Sequence, residues 1–196
     1  LGMHKSYNVL EHAKFLNNLC ELKNIFLYFN RDFPKKLEEK ITKMSSILNE
    51  YFHTDGTIPL FNGANNNYTK LIYESLNKEE YFKSRTFGNV NNGLAFFSGK
   101  NKKIFFDVVQ PNKNKISSNL SAGTLSFEFS YLGEKIITNC GASESLGKNP
   151  EYLKYSAAHS TIIVQNTNIS EIKENNPLIK FPQSVTFEAT SVGSKI

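Results

Sequence analysis

Apolar residues recur every three or four positions along the first third of this chain and every second position along much of the remainder. Over residues 7–29, Val9, Ala13, Leu16 and Cys20 share one face, which predicts a helix. Asn30-Arg31-Asp32 interrupts the pattern. Asp32 is suited to cap a second helix, with Pro34 in its first turn, where a missing N–H costs nothing. In that helix Leu37, Ile41, Met44, Ile47, Leu48, Tyr51 and Phe52 form an apolar stripe opposite Lys, Glu and Ser. Residues 53–68 are rich in Gly, Asn and Asp and read as a long loop, the kind of segment that often lines a site. A short helix is expected over 69–76.

After about residue 86 the period becomes two. Residues 94–97 and 104–109 flank Ser98-Gly99-Lys100-Asn101 and predict a hairpin. Over 124–132, Leu125, Phe127, Phe129 and Tyr131 point one way and Ser126, Glu128 and Ser130 the other. Gly133-Glu134 then turns the chain into a strand over 135–139, and further strands are expected over 160–165 and 185–190. Helices first and strands afterwards predict an α+β chain with segregated parts rather than βαβ units: a helical segment over 1–85 and an antiparallel β domain over 86–196. The chain opens on Leu1 and stops at Ile196, soon after a strand-like run, so it is expected to be a fragment with both parts incomplete.

Composition narrows the class. Apolar residues make up 39% and charged residues 21%, the proportions of a folded globular chain. No apolar run is long enough for a membrane span. Cys20 and Cys140 fit neither a CxxC pair nor a zinc spacing and read as two thiols. The net charge of +5 suits a polyanion, yet the lysines are dispersed and no nucleic-acid-binding signature is present, so nucleic acid is not an expected partner.

Three stretches resemble the heparinase II/III-like polysaccharide lyases. One is Ala122-Gly123-Thr124-Leu125-Ser126-Phe127-Glu128-Phe129, followed by Ile136-Ile137-Thr138-Asn139-Cys140-Gly141 and Ala157-Ala158-His159-Ser160-Thr161-Ile162. The second is Asp55-Gly56-Thr57-Ile58-Pro59-Leu60-Phe61-Asn62-Gly63, and the third is Gly2-Met3-His4…Asn8…His12, at a helix start. The resemblance implies the last helices of an (α/α) toroid followed by an antiparallel β-sandwich-type domain, with a cleft between them. It also implies a bacterial periplasmic or cell-envelope setting and an acidic polysaccharide or oligosaccharide as partner. The oligomeric state is left open.

The reaction so implied is β-elimination in a polysaccharide containing uronic acid. It needs a base for the C5 proton, an acid for the leaving oxygen and donors that neutralise the carboxylate, and it needs no redox cofactor. His159, at the position of the family's β-domain histidine, is the first candidate. His12, His53 and His4 follow as catalytic candidates, with Asn62, Asn8 and Tyr68 as substrate-binding candidates. Each also has a plainer reading: His12 as a helix-surface residue, His53 as a favourable cation at a helix end, the two Asn as turn formers. Metal-binding relatives place zinc ligands where this chain has Ser121, Gly123 and Asn139, so no zinc and no other cofactor is expected. Glu11 stands where the family's helix-start motif has Tyr. The alternative is therefore a catalytically inactive, carbohydrate-binding relative acting in envelope polysaccharide turnover.

Overall fold

A computed structural model describes residues 2–67, 70, 72, 87–89, 93–111, 120–142, 151–172 and 180–188. Two helices, α1 (Val9–Tyr28) and α2 (Lys35–Glu50), precede a five-stranded antiparallel meander: β1 (Phe87–Asn89), β2 (Leu94–Gly99), β3 (Lys102–Asp107), β4 (Phe127–Tyr131) and β5 (Glu134–Ile137). The chain is thus a mix of α and β, helices first. Lys70 and Ile72 are helical, but most of the expected helix over 69–76 lies outside the described residues, as does Tyr68.

Asn8 starts α1. Its Oδ1 accepts the Glu11 N–H at 3.1 Å, which satisfies one of the amides that a helix start leaves unpaired. The helix ends on Asn30, whose φ of 50° places it in the left-handed region, while the Arg31 N–H reaches back to the Phe26 carbonyl at 2.8 Å. Asp32 does not cap α2. Pro34 itself is the N-cap, without a side-chain hydrogen bond, and helical residues begin at Lys35. The expected stripe is buried at Ile41, Met44 and Leu48, against Val9, Ala13, Leu16 and Cys20 of α1.

The sheet meets the helices through its inner face. Leu94, Phe96 and Phe105 join the helical residues in one buried cluster, with Ile58 and Phe61 from the loop. Tyr51, just after α2, keys the two layers together: its hydroxyl donates to the Leu94 carbonyl at 2.9 Å, and its ring lies 6.0 Å from Phe96 and 5.8 Å from Phe105. Each such ring contributes about 1.5–3 kcal/mol of apolar burial.

Of the two faces of β4, the polar one is buried. Ser126, Glu128 and Ser130 have no exposed surface, whereas Phe127 and Phe129 are half-buried on the outer face and Tyr131 is 45% exposed. The outer face is an aromatic row in which Phe106 stacks on Phe127 at 5.8 Å and Phe187 packs on Phe97 at 6.2 Å. The turn into β5 is Leu132-Gly133, both at positive φ, one residue ahead of the expected Gly133-Glu134.

Two expected strands are not strands. Residues 156–158 form a 3-10 turn, and among the described residues the pairing near 160–165 is an isolated bridge, Val164 to Thr167, around Gln165 and Asn166 at positive φ. The cause is local capture: the Ser160 hydroxyl bonds the Phe127 carbonyl, and its N–H donates to Asn139 Oδ1 at 2.9 Å, which pins the chain beside the start of β4. Residues 185–188 carry no strand, and 189–190 lie outside the described residues. No described helix is long and apolar enough to cross a membrane.

Candidate functional site

The 53–65 loop lies between the helices and the inner face of the sheet, and the sheet holds it at two places. The first is Glu128. Its Oε1 accepts the Leu60 N–H at 2.9 Å and both the N–H and Nδ2 of Asn139 at 3.1 Å; its Oε2 accepts His53 Nε2 at 2.9 Å and Lys135 Nζ at 3.4 Å. Burial pushes the Glu128 pKa up, but His53, Lys135 and the Leu60 N–H outweigh it and hold the carboxyl below its usual range. Burial likewise lowers the His53 pKa against the opposing pull of Glu128.

A neutral imidazole donating to a carboxylate satisfies both shifts. The hydrogen bonds agree: Nε2–H points at Glu128, while Nδ1 accepts from the Ser130 hydroxyl at 2.9 Å, which in turn accepts the Thr54 N–H at 3.1 Å. Ser130, His53 and Glu128 are thereby connected as in a nucleophilic triad. All three are buried, so the arrangement reads as a lock between loop and sheet.

The second holding point lies at the start of α1. Asn8 Nδ2 donates to the Asn62 carbonyl at 3.0 Å, and Asn62 Nδ2 lies 3.5 Å from the Tyr7 carbonyl. The Asn62 amide also donates to the carboxyl of Asp107, which is buried at the end of β3. Tyr7 (φ 51°) and Asn62 (φ 53°) are both left-handed, a conformation that Asn adopts readily but a bulky residue such as Tyr7 only where its surroundings enforce it. Neither Asn presents a free amide to solvent: Asn62 is 2% exposed and Asn8 5%.

Beside this joint, His4 and Tyr7 bracket one turn, closed by the Tyr7 N–H on the His4 carbonyl at 3.1 Å. His4 Nδ1 pairs with the Ser6 hydroxyl at 2.8 Å. Burial lowers its pKa, partly offset by Glu11, so the imidazole is a neutral base. His12 lies behind it and is fully buried. Its Nδ1 accepts the His4 N–H at 3.1 Å and its Nε2 donates to the Met44 carbonyl at 3.0 Å, so both ring nitrogens are occupied by backbone. Burial takes its pKa down to about 4.

His159 belongs to a third locality, at the start of β4. Both ring nitrogens are shielded from solvent and, among the described residues, have no partner in hydrogen-bond geometry. Burial lowers the pKa to about 4, opposed by the nearby Leu153 carbonyl, which lies close without a well-formed bond, and by Glu128. The ring lies against Gly123, where a Cβ would fall 3.0 Å from Cγ and 3.2 Å from Nδ1. The donor set here does not suit zinc. Gly123 offers no ligand, Asn139 spends its amide on Ser160 and Glu128, and the Glu128 oxygens are filled by five donors. Among the described residues no three His, Cys, Asp or Glu gather in metal-binding fashion.

Of the sequence candidates, then, the structure gathers His4, His12, Asn8 and Asn62 at the joint and places His53 in the lock. His159 stands apart from both, although its neighbour Ser160 is tied to the lock through Asn139. Sequence reading passed over Glu128, Lys135, Asp107 and Tyr7. Only Glu128 carried a signal, as an acid inside a Phe-x-Phe strand.

Residues 86–189 match the family described as heparinase II/III-like, C-terminal. No curated protein matches the chain. Among the solved structures that resemble it are the heparinase III BT4657 gene product (16% identity, TM-score 0.66), heparan sulfate lyase HepC from Pedobacter heparinus (16%, 0.65) and a heparinase III (14%, 0.65). Each alignment covers 86% of this chain but only 31%, 31% and 33% of those chains, so this chain spans about a third of their length. At such identity the likeness speaks to the fold alone. Taken with the family match over more than half its length, the chain belongs to the heparinase II/III-like family.

Proposed function

We propose that this chain is part of a polysaccharide lyase that cleaves a uronic-acid-containing polysaccharide by β-elimination. The observation that carries this reading, beyond family membership, is the turn bracketed by His4 and Tyr7. It sets a neutral imidazole and a phenol at the two ends of one turn, three residues apart, at the joint between helix and sheet. In this scheme His4 Nε2 takes the C5 proton. The C–H electron pair forms the C4–C5 double bond, the C4–O bond breaks, and the Tyr7 phenol protonates the departing oxygen. Asn8 and Asn62, whose amides are engaged within the protein, position the turn from His4 to Tyr7, His12 fixes His4, and His53 and His159 support the sheet behind them. The division at residues 85 and 86 into the end of a toroid and the start of a β-sandwich-type domain belongs to the same reading, as do an acidic polysaccharide partner and a bacterial cell-envelope location. The charge of +5 favours such a partner.

The test is ultraviolet absorbance from the unsaturated uronate product during incubation with uronic-acid polysaccharides. Absorbance should grow with wild type, and His4→Ala should slow it by about a hundred-fold or more. Unchanged turnover in His4→Ala removes His4 from the mechanism. A second reading, an inactive carbohydrate-binding relative, is favoured by Glu11 at the motif's Tyr position and by the engagement of both Asn amides within the protein. Binding without absorbance growth selects it.

A further inference from the structure

Among the buried titratable groups, Asp107 has no part in the proposed chemistry and, among the described residues, no charged partner acting on it. Its Oδ1 accepts the Val109 N–H at 3.1 Å, and the Asn62 amide is the other donor. It is 3% exposed. The described ionisable groups on the neighbouring elements act elsewhere. Glu128, next along the same sheet face, is saturated by its own donors, with His53 among them. Lys103 lies further along β3 against the Phe96 and Phe105 rings, and the Tyr7 phenol is held above its usual pKa by burial.

We propose that Asp107 is a positioning residue, a releasable latch that holds Asn62 and thereby keeps the 61–65 segment and the turn from His4 to Tyr7 in fixed relation. The geometry supports a latch rather than general packing. Among the described residues Asn62 bonds the turn leading into α1 and the sheet at once, and the left-handed backbone of the bulky Tyr7 beside it must be held by its surroundings. Leu60, two residues earlier, is held separately by Glu128 and serves as an internal control.

Burial raises the Asp107 pKa from 3.8 to about 7, against the Val109 N–H and the Asn62 amide. The Asn62 amide bonds the ionised carboxyl more strongly, but burial outweighs that bond, so an opening that hydrates Asp107 is favoured by ionisation. The group favours closure most below its open-state pKa, and that advantage is lost as pH rises through the raised value. The opening equilibrium of the latch therefore grows about tenfold per pH unit from about pH 4 to about pH 7 and levels off above.

Amide hydrogen exchange on the whole chain tests this, with rates corrected for base catalysis of exchange. In wild type the Ala64 amide, bonded to the Phe61 carbonyl, should follow that rise while the Leu60 amide does not. Asp107→Asn, which mimics the protonated group, should stay closed and flat with pH; Asp107→Ala should be open and flat. Wild-type pH dependence persisting in Asp107→Asn overturns the latch, as does unchanged Ala64 exchange in Asp107→Ala. If the Ala variant does not fold, wild type against Asp107→Asn still decides.

The catalytic consequence alone rests on the lyase reading. With heparan sulfate as probe, Asp107→Ala should lose kcat with little change in KM, and Asp107→Asn should restore it. Exchange that follows the latch while no variant turns over a uronic-acid polysaccharide leaves the latch standing and removes the lyase.

Discussion

The two ends of the 53–65 loop are held to the same sheet face by carboxyl groups in opposite circumstances. Glu128 is surrounded by five donors, one of them Lys135, and stays ionised although buried. Asp107 has two neutral donors, and burial wins. The difference lies in what faces each group. A carboxylate that is buried and saturated becomes a permanent anchor, whereas one that is buried and sparsely bonded becomes a joint that pH can loosen. The long loop therefore has a rigid half ending near Leu60 and a conditional half around Asn62.

Removing the anchor should be the most damaging single change. Glu128→Ala leaves His53, Lys135, Asn139 and the Leu60 N–H without their acceptor, and breaking a buried pair from one side costs about 3–5 kcal/mol. Urea unfolding should show it as a lower midpoint, and the Leu60 amide should lose its exchange protection. The acid limb of wild-type stability should come from the same group. Glu128 is held below its usual pKa, so its contribution is present above about 4.5 and is lost as pH falls through the lowered value; His53, held neutral, is strained in the same direction below about 6.5. Asp107 acts with the opposite sign, losing its contribution as pH rises towards 7. A variant series in which Glu128→Ala kept the full acid limb would erase the distinction between the two ends.

A substitution at Gly123 probes the anchor's periphery with a smaller effect. A methyl group there meets the buried His159 ring at 3.0–3.3 Å, so Gly123→Ala should cost about 1–3 kcal/mol by overpacking. Thermal unfolding measures it, and Gly123→Ala combined with His159→Ala should recover part of the loss. A purely additive double variant would mean that the two residues do not press on one another.

Much of this arrangement was legible in the sequence, for reasons that differ residue by residue. The stripe at Ile41, Met44 and Leu48 needs only the helical period, and the 94–109 hairpin only alternation and a Gly-Lys-Asn turn, so both appear where expected. The alternation through Ser126, Phe127, Glu128 and Phe129 shows that two faces exist but not which is buried; here a neighbouring His, Lys and Asn make the acid tolerable inside. The β-branched run after Ser160 reads as a strand by composition, and only the capture of Ser160 by Phe127 and Asn139, distant in sequence, prevents it. Asp107 carried no signal at all, because its circumstances are set by Asn62 from a remote loop.

The smallest expected effect is at the conditional end. Asn8 does two jobs: its Oδ1 caps α1 on the Glu11 N–H, and its Nδ2 holds the Asn62 carbonyl. Asn8→Asp keeps the cap and gives up the amide donor, whereas Asn8→Ala gives up both. Loss of the cap costs about 1 kcal/mol. Asn8→Ala should therefore fall about that much below Asn8→Asp in urea unfolding, while both variants speed exchange at Ala64 equally. At the anchored end the Leu60 amide should exchange as in wild type in both. Faster exchange at Leu60 in Asn8→Asp would show that the halves of the loop move together, and the contrast between anchor and joint would collapse into one cooperative unit.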